Sequence, residues 1–189
     1  IFKAEKKFEV WVGKEKKFVL LKEYGIPPTF NMRVGPKRRR GDLLIPEGFY
    51  IITSLNHQSF FYLSLGINYP NELDKILTTD KNSPGGDIFI HGGQASFGCI
   101  PLTDEGIQEV YLLAVEAKNA GQKDIPVHIF PARLLMEKDA LEIVIPEFDS
   151  ALIEFWKNLR EGYRFFETEK VLPQIEVKNK RYLFQKPTR

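Results

Sequence analysis

The sequence predicts a mixed α+β fold in which strands dominate the first half of the chain and helices enter in the second half. Two patterns carry this prediction. Near the N-terminus, polar Glu9 separates Phe8 from Val10, an alternation typical of a half-buried strand. Further along, apolar residues recur every three to four positions, which is the spacing of one face of a helix.

Size and charge limit the classes of protein that fit. The chain has 189 residues, 43% hydrophobic and 28% charged, which is enough for one sizeable core. A formal net charge of +2 is too close to neutrality to indicate a nucleic-acid binder. No apolar run approaches the roughly 18 residues of a membrane helix, so we do not expect an integral membrane protein. Ile1 in place of an initiator methionine indicates a trimmed or processed form.

The first half predicts strands separated by one long loop. Residues 1–25 predict a hairpin with its turn at Gly13. Residues 26–46, which carry Pro27, Pro28, Gly35, Pro36 and the basic run Lys37–Arg40, predict a loop. Aromatic and branched residues then predict three more strands, at 49–53, 60–65 and 87–91.

A helix is predicted to begin at Thr103. The Thr103 side chain can cap the helix, and Asp104 and Glu105 favour the positive end of its dipole. Gly121 follows the last turn. One face of the helix is apolar: Ile107, Val110, Tyr111, Ala114 and Val115.

A strand at 125–130, ended by Pro131, separates that helix from a C-terminal extension. After Asp149 and Ser150, apolar residues at helical spacing predict a helix that packs on the main domain: Leu152, Phe155, Trp156, Leu159, Tyr163 and Phe166. A final hairpin is predicted to turn at 178–180. The expected division is therefore a main domain at 1–136 and an extension at 137–189.

The residues with the clearest chemistry surround Cys99, the only cysteine. His91 lies at a predicted strand end, eight residues before Cys99 and across a Gly-rich loop that could fold one onto the other. An ordinary thiol is mostly protonated at neutral pH, and a paired imidazole supplies both a base and a positive charge. The backbone amides of Phe97, Gly98 and Cys99 could hold a developing oxyanion. These residue types alone leave the alternative open that Cys99 is a small buried hydrophobe and His91 a hydrogen-bonded strand-end residue.

The string HGGQASFGC resembles the signature of the YkuD-type L,D-transpeptidases, in which a His-Gly pair precedes a Ser-x-Gly-Cys element. The resemblance is closest to the YafK-like branch and covers nearly the whole chain. Other segments resemble that branch in order and spacing: Gly35-Pro36-Lys37, Glu47-Gly48-Phe49-Tyr50, Tyr69-Pro70-Asn71, Thr103-Asp104-Glu105, Val127-His128-Ile129-Phe130-Pro131, Phe155-Trp156-Lys157-Asn158-Leu159 and Glu161-Gly162-Tyr163.

The resemblance implies a β-rich, sandwich-like catalytic domain with a packed helix, in which Cys99 is the nucleophile and His91 the base. The carbonyl after His91, at Gly92 or Gly93, would orient the imidazole as a third member of the triad. Ser96 and Gly98 match the flanking motif positions. The chain departs from many members in having Phe97 where they have a second histidine, which leaves His91 as the only local base.

The activity implied is acyl transfer on peptidoglycan peptide stems through a Cys99 thioester. The protein would act as an L,D-transpeptidase, or as an amidase that hydrolyses the attachment of a stem-linked protein. An inactive wall-binding module of the same fold is the alternative. An enzyme predicts an accessible thiol of low pKa, whereas the inactive module predicts a buried or protonated one. The family implies export by a signal segment to the periplasm or cell envelope.

Some further side chains are candidates for substrate binding, and the two remaining histidines have other expected positions. Arg33 and Lys37 could pair with the stem carboxylates, and Ser96, Tyr69 and Asn71 could line the same groove. His128 is expected to be structural or to lie near the thiol, and His57 to be an exposed loop residue. Three scattered histidines and one cysteine lack metal-ligand spacing, so we expect no metal and no cofactor.

Overall fold

The computed structural model describes residues 1–14, 17–28, 33–93, 96–137 and 150–187. Strands and helices share these ranges, which confirms the predicted mixed α+β fold. The elements are, in chain order, β1 Lys7–Lys14, β2 Lys17–Gly25, β3 Gly48–Ser59, β4 Tyr62–Ile67, α1 Glu72–Leu77, β5 Phe89–His91, β6 Ile100–Pro101, α2 Asp104–Asn119, β7 Pro126–Ile129, α3 Arg133–Glu137, α4 Ser150–Glu169, β8 Gln174–Lys178 and β9 Arg181–Gln185. No helix within these ranges is long and apolar enough to cross a membrane.

A five-stranded sheet in the order β6-β5-β4-β3-β7 forms the centre of the fold. Its pairs are antiparallel except for β5 and β6, which run parallel with Ile90 opposite Ile100. Both isoleucines are buried, in the core that the sheet shares with α2 and the β1–β2 hairpin. The sheet therefore places the short strands β5 and β6 side by side at one of its edges.

Helix α2 begins where the sequence predicts. The Thr103 side chain accepts a hydrogen bond from the Gly106 N–H, which satisfies one of the free amides of the first turn. Ile107, Val110 and Ala114 on the predicted apolar face are buried against the sheet. The start of α2 is thereby fixed directly after β6.

A second core joins α4 and the β8–β9 hairpin to the rest of the protein. Trp156 and Tyr163 of α4 pack there with Phe2, Phe49 and Phe130 from the N-terminal part of the chain. The final hairpin turns at Asn179 and Lys180, as the sequence predicts. The domain boundary at 136/137 stays a prediction, since residues 138–149, including Asp149, lie outside the described residues.

Two local predictions about strands are wrong. Gly13 does not turn the first hairpin but lies within β1, paired with Phe18, and the pairing continues to Lys14 and Lys17. His57 is exposed, but it lies on β3 rather than in a loop. β3 extends to Ser59 because β4 supplies a hydrogen-bonding partner, with Asn56 opposite Ser64. Short helices α1 and α3 were not predicted.

A buried ion pair closes the loop between residues 35 and 45. The Lys3 Nζ donates to the carbonyls of Gly35 (2.6 Å) and Ile45 (2.8 Å) and to Glu47 Oε1 (2.9 Å). Glu47 also accepts from the Gly35 N–H and, through Oε2, from the Trp156 indole at 2.7 Å. Both charged side chains are fully buried. These contacts of Lys3 and Glu47, which we call the clasp, fix both ends of the 35–45 loop and connect it to α4.

Candidate active site

His91 ends strand β5 and Cys99 directly precedes the neighbouring strand β6. Ile90 and Ile100, directly opposite each other, point into the core. Because successive side chains in a strand alternate between faces, the adjacent His91 and Cys99 are both expected to turn away from that core. The pairing also places Cys99 beside Phe89, whose N–H lies 3.4 Å from the Cys99 sulfur.

His91 is held in one protonation and one orientation. Its Nδ1 lies 2.6 Å from the carbonyl oxygen of Gly92. A carbonyl only accepts, so Nδ1 carries the proton and Nε2 keeps its lone pair. The backbone is anchored by the Leu102 N–H, which donates to the His91 carbonyl at 2.7 Å. Burial lowers the pKa of His91 below its ordinary 6.5, although the Gly92 carbonyl opposes this shift, so the imidazole is neutral at pH 7.

The thiol of Cys99 differs from the low-pKa thiol expected from the sequence. Its Sγ accepts from the Phe89 N–H and donates to the Asp87 carbonyl at 3.6 Å. Burial raises the pKa of Cys99 above its ordinary 9.0, and the Phe89 N–H and the positive charge of Lys37 offset this only in part. The side chain is partly buried. The pKa shifts of both side chains therefore favour the neutral forms, a protonated Cys99 thiol and an uncharged His91 imidazole.

The loop before Cys99 leaves little room for a side chain at Gly98. Ser96 Oγ donates to the Cys99 carbonyl at 2.6 Å. Gly98 has φ +114°, and a Cβ there would lie 3.3 Å from the Leu44 carbonyl oxygen, so both conformation and space favour glycine. Phe97 directs its side chain into solvent, 82% exposed. Gln94 and Ala95 lie outside the described residues.

Two residues that sequence reasoning missed hold the segment after His91. Asp104 Oδ1 accepts from the Gly93 N–H at 2.8 Å. A Cβ on Gly92 would lie 2.7 Å from the same oxygen and 2.8 Å from the Phe61 carbonyl, which explains the glycine. The Phe61 ring lies 4.6 Å from the His91 ring, centre to centre. The sequence predicts only a helix-dipole role for Asp104. The aromatic run from Phe60 to Tyr62 is the sequence signal that could have identified Phe61.

The basic run forms a compact loop around one carboxylate. Asp42 accepts from Lys37 Nζ at 2.7 Å and from the backbone amides of Arg38, Arg39 and Leu44. Lys37 is consequently almost fully buried. Three guanidinium side chains of this region are exposed: Arg33, Arg39 and Arg40. They are the cations of the loop that solvent reaches most freely.

Tyr69 and Asn71, predicted as substrate contacts, already have partners within the protein. The Tyr69 hydroxyl donates to the Pro84 carbonyl at 3.0 Å. Asn71 caps α1 and donates to Phe49 O at 3.0 Å and to the Tyr182 hydroxyl at 2.8 Å. Lys37 is occupied in the same way by Asp42. A substrate contact by any of these three residues stays a prediction, and it would have to compete with these internal partners.

His128 lies far from the thiol in the sheet. It is on β7, which β3 and β4 separate from β5, and its ring packs against those of Phe49, Phe130 and Phe166. Burial lowers its pKa to about 3, so it is uncharged. Among the described residues, no three His, Cys, Asp or Glu side chains are grouped as metal ligands would be.

Comparisons with known proteins agree on one family. A family profile described as the L,D-transpeptidase catalytic domain (YkuD) matches residues 6–129. YafK of Escherichia coli (strain K12), provisionally named an L,D-transpeptidase, is 32% identical over 192 aligned residues, which cover 99% of this chain and 73% of YafK. YafK of Escherichia coli O157:H7 matches with the same figures.

Two solved structures share the fold. The helical cell shape determining protein Pgp2 from Campylobacter jejuni superposes with a TM-score of 0.53 at 18% identity, covering 94% of this chain and 71% of Pgp2. Bd1075 of Bdellovibrio bacteriovorus gives a TM-score of 0.50 at 18% identity, covering 95% of this chain and 75% of Bd1075. At this identity the likeness concerns the fold.

Proposed function

Because the chain belongs to the L,D-transpeptidase (YkuD) catalytic domain family, we propose that it carries out cysteine-dependent acyl transfer on the peptide stems of peptidoglycan. The observation that supports the proposal is the pairing of strands β5 and β6: by strand alternation, the side chains of His91 and Cys99 are expected on the face opposite Ile90 and Ile100.

In the first step the Cys99 sulfur attacks the carbonyl carbon of an amide next to a meso-diaminopimelate residue. His91 Nε2 takes the thiol proton as the C–S bond forms, which suits a site where both groups start neutral. The negative oxygen of the tetrahedral intermediate is held by backbone amides at Gly98 and Cys99. His91 then gives the proton to the departing amine, the C–N bond breaks, and a thioester remains on Cys99.

The acceptor of the acyl group decides which enzyme results. An amine acceptor attacks the thioester and forms a new amide, which is transpeptidation. Water attacks the thioester instead and frees the stem as a carboxylate; the group that was attached, including a stem-linked protein, has already left as the amine in the first step. Both outcomes start from the same acyl-enzyme and regenerate the thiol, and we propose them as alternative second steps of one mechanism.

The raised pKa of Cys99 was the property expected of an inactive wall-binding module. We favour the enzyme because a neutral thiol can still be deprotonated by a correctly oriented base during the attack. The 2.6 Å contact to Gly92 provides that orientation, whereas a binding module requires no fixed tautomer at His91.

Recognition of the stem is proposed to involve the exposed cations of the basic loop. Stems carry free carboxylates, and guanidinium groups bind carboxylates in a two-pronged geometry. Arg33, Arg39 and Arg40 are exposed near the 35–45 loop, which borders Gly98 through Leu44. Such a substrate places the protein in the periplasm or cell envelope.

The test is product analysis with defined substrates. Purified protein is incubated with muropeptides and with muropeptides that carry a linked peptide, beside Cys99→Ala, and products are identified by mass spectrometry. Cross-linked or exchanged products that require Cys99 support transpeptidation. Peptide release with uptake of water supports the amidase. Absence of any Cys99-dependent product contradicts the proposal and favours the binding module.

A further inference from the structure

Exposed aromatic side chains are concentrated beside the candidate active site. Within the described part of the chain, four aromatic side chains are exposed: Phe60, Phe61 and Tyr62 where β3 turns into β4, beside His91, and Phe97 two residues before Cys99. We call the first three the aromatic rim: Phe60 at 104%, Tyr62 at 48% and Phe61 at 45% exposed. Phe97 precedes Gly98, which lies against Leu44 of the 35–45 loop, and is not part of the rim. A cluster of exposed apolar side chains of this kind marks a binding surface in a soluble protein.

The rim includes a bulky residue where the local backbone conformation favours glycine or asparagine. Ser59 pairs with Tyr62, so Phe60 and Phe61 form a two-residue turn between β3 and β4. Phe60 and Phe61 keep negative φ angles, and the residue after them takes the positive φ that glycine or asparagine usually provides in a hairpin connection. Tyr62 itself has φ +72°, which is unfavourable for a bulky residue. An unfavourable backbone conformation at an exposed aromatic residue is expected where function requires that side chain.

The rim and the basic loop lie at opposite ends of β5. The Lys37 side chain packs against Gly85, ahead of the strand, where a Cβ would lie 2.9 Å from its Cε. The Phe61 ring covers His91 at the other end. Cys99 lies between them, beside Phe89. A substrate that follows β5 therefore meets cations on one side of the thiol and aromatic rings on the other.

The charge of each end indicates which part of the substrate it can bind. The segment that carries the rim, residues 56–62, contains no aspartate, glutamate, lysine or arginine. The carboxylates of a stem suit the basic end, which leaves an uncharged part of the substrate for the rim. Sugar rings are uncharged and amphipathic: their C–H faces pack on aromatic rings while their hydroxyls remain in water.

We propose that the aromatic rim binds the glycan of peptidoglycan, by stacking on the sugar that carries the stem. The proposal rests on the proposed function. Two stem residues separate diaminopimelate from the sugar, and three residues of extended peptide span about 10 Å. Cys99 lies beside Phe89, and the two steps along β5 from Phe89 to His91 span about 7 Å at 3.3 Å per residue. The rim begins directly beyond His91, so the two lengths agree.

The experiment compares one stem with and without its disaccharide. KM is measured for both substrates with the unmodified protein, Phe60→Ala, Phe60→Trp and Leu112→Ala. Phe60 is fully exposed, so its replacement does not disturb the core. Leu112, 59% exposed on α2, is the matched control for loss of an exposed apolar side chain.

The disaccharide is expected to lower KM about tenfold in the unmodified protein, Phe60→Trp and Leu112→Ala, which is about 1.4 kcal/mol. In Phe60→Ala the ratio of the two KM values should fall close to one. Equal KM values in the unmodified protein, or an unchanged ratio in Phe60→Ala, would overturn the glycan site. A change of molar mass by light scattering in Phe60→Ala would assign the rim to self-association instead.

Failure of the proposed function is distinguishable from failure of this inference. Without Cys99-dependent turnover of either substrate, the reaction is wrong, and the rim is then tested by calorimetric binding of both stems to Cys99→Ala. Tighter binding of the sugar-bearing stem, lost in Cys99→Ala with Phe60→Ala, supports the glycan site. Equal binding of the two stems contradicts it.

Discussion

The Nδ1 atom of His91 lies 2.6 Å from the carbonyl oxygen of Gly92, the next residue in the chain. This contact determines which ring nitrogen can accept a proton, and it does so with a backbone group whose charge does not change with pH. The third member of the proposed triad is thus a peptide carbonyl rather than a carboxylate.

Replacing His91 by alanine should reduce acylation of Cys99 about 10²- to 10⁴-fold, because the thiol then loses its general base. The rate is measured as single-turnover consumption of a sugar-free stem peptide. His57→Ala, a change of an exposed histidine on β3, should leave that rate unaltered. A His91→Ala protein with more than a tenth of the original rate would exclude His91 as the base.

The rate of alkylation of Cys99 by iodoacetamide should rise with pH without a plateau below pH 8. Iodoacetamide reacts with the thiolate, and burial holds the pKa of Cys99 above 9.0. Acylation by substrate has a different dependence: it requires neutral His91, so it should fall only as the pH drops through a pKa below 6.5. An alkylation plateau between pH 5 and 8 would indicate a preformed thiolate–imidazolium pair and contradict the neutral resting state.

Gly98→Ala should lower kcat about 100-fold while the protein remains folded. A Cβ at φ +114° would press on the Leu44 carbonyl and shift the amides that hold the oxyanion. The strain should also cost about 1–2 kcal/mol of unfolding free energy. Gly25→Ala is the control, since a Cβ there meets nothing within 4 Å. Unchanged kcat in Gly98→Ala would remove the oxyanion role from this loop.

Glu47→Gln should destabilise the protein by about 3 kcal/mol in urea unfolding at pH 7. The change leaves the Lys3 ammonium buried without its counter-charge at the clasp of the 35–45 loop. Glu23→Gln breaks the solvent-exposed pair with Lys7 and should cost less than about 1 kcal/mol. Similar losses in the two variants would show that the clasp adds no more than a surface ion pair.

Much of this architecture is readable from the sequence because the signals are local. Thr103 and the apolar face that follows it predict α2, and the final hairpin turns at Asn179 and Lys180 as predicted. The His91–Cys99 loop was identified by its residue types and by resemblance to a family. Gly13 was misread because a turn residue also occurs within a strand when the partner strand continues.

Properties that depend on tertiary contacts could not be predicted in this way. The raised pKa of Cys99 reflects burial, which short sequence motifs do not encode. Phe61 reaches His91 only because β3 and β4 form a long hairpin that projects past β5. The Lys37 ammonium pairs with Asp42, 5 positions away in the chain. The Asn71 amide donates to the Tyr182 hydroxyl, 111 positions away.

Intact-protein mass spectrometry of the reaction with a defined stem tests the central claim most directly. We predict an adduct with the mass of the acyl part of the stem, located on Cys99, removed by hydroxylamine as a thioester is, and missing in Cys99→Ala. Turnover of the stem by Cys99→Ala at the original rate, or an adduct on another residue, would contradict the mechanism.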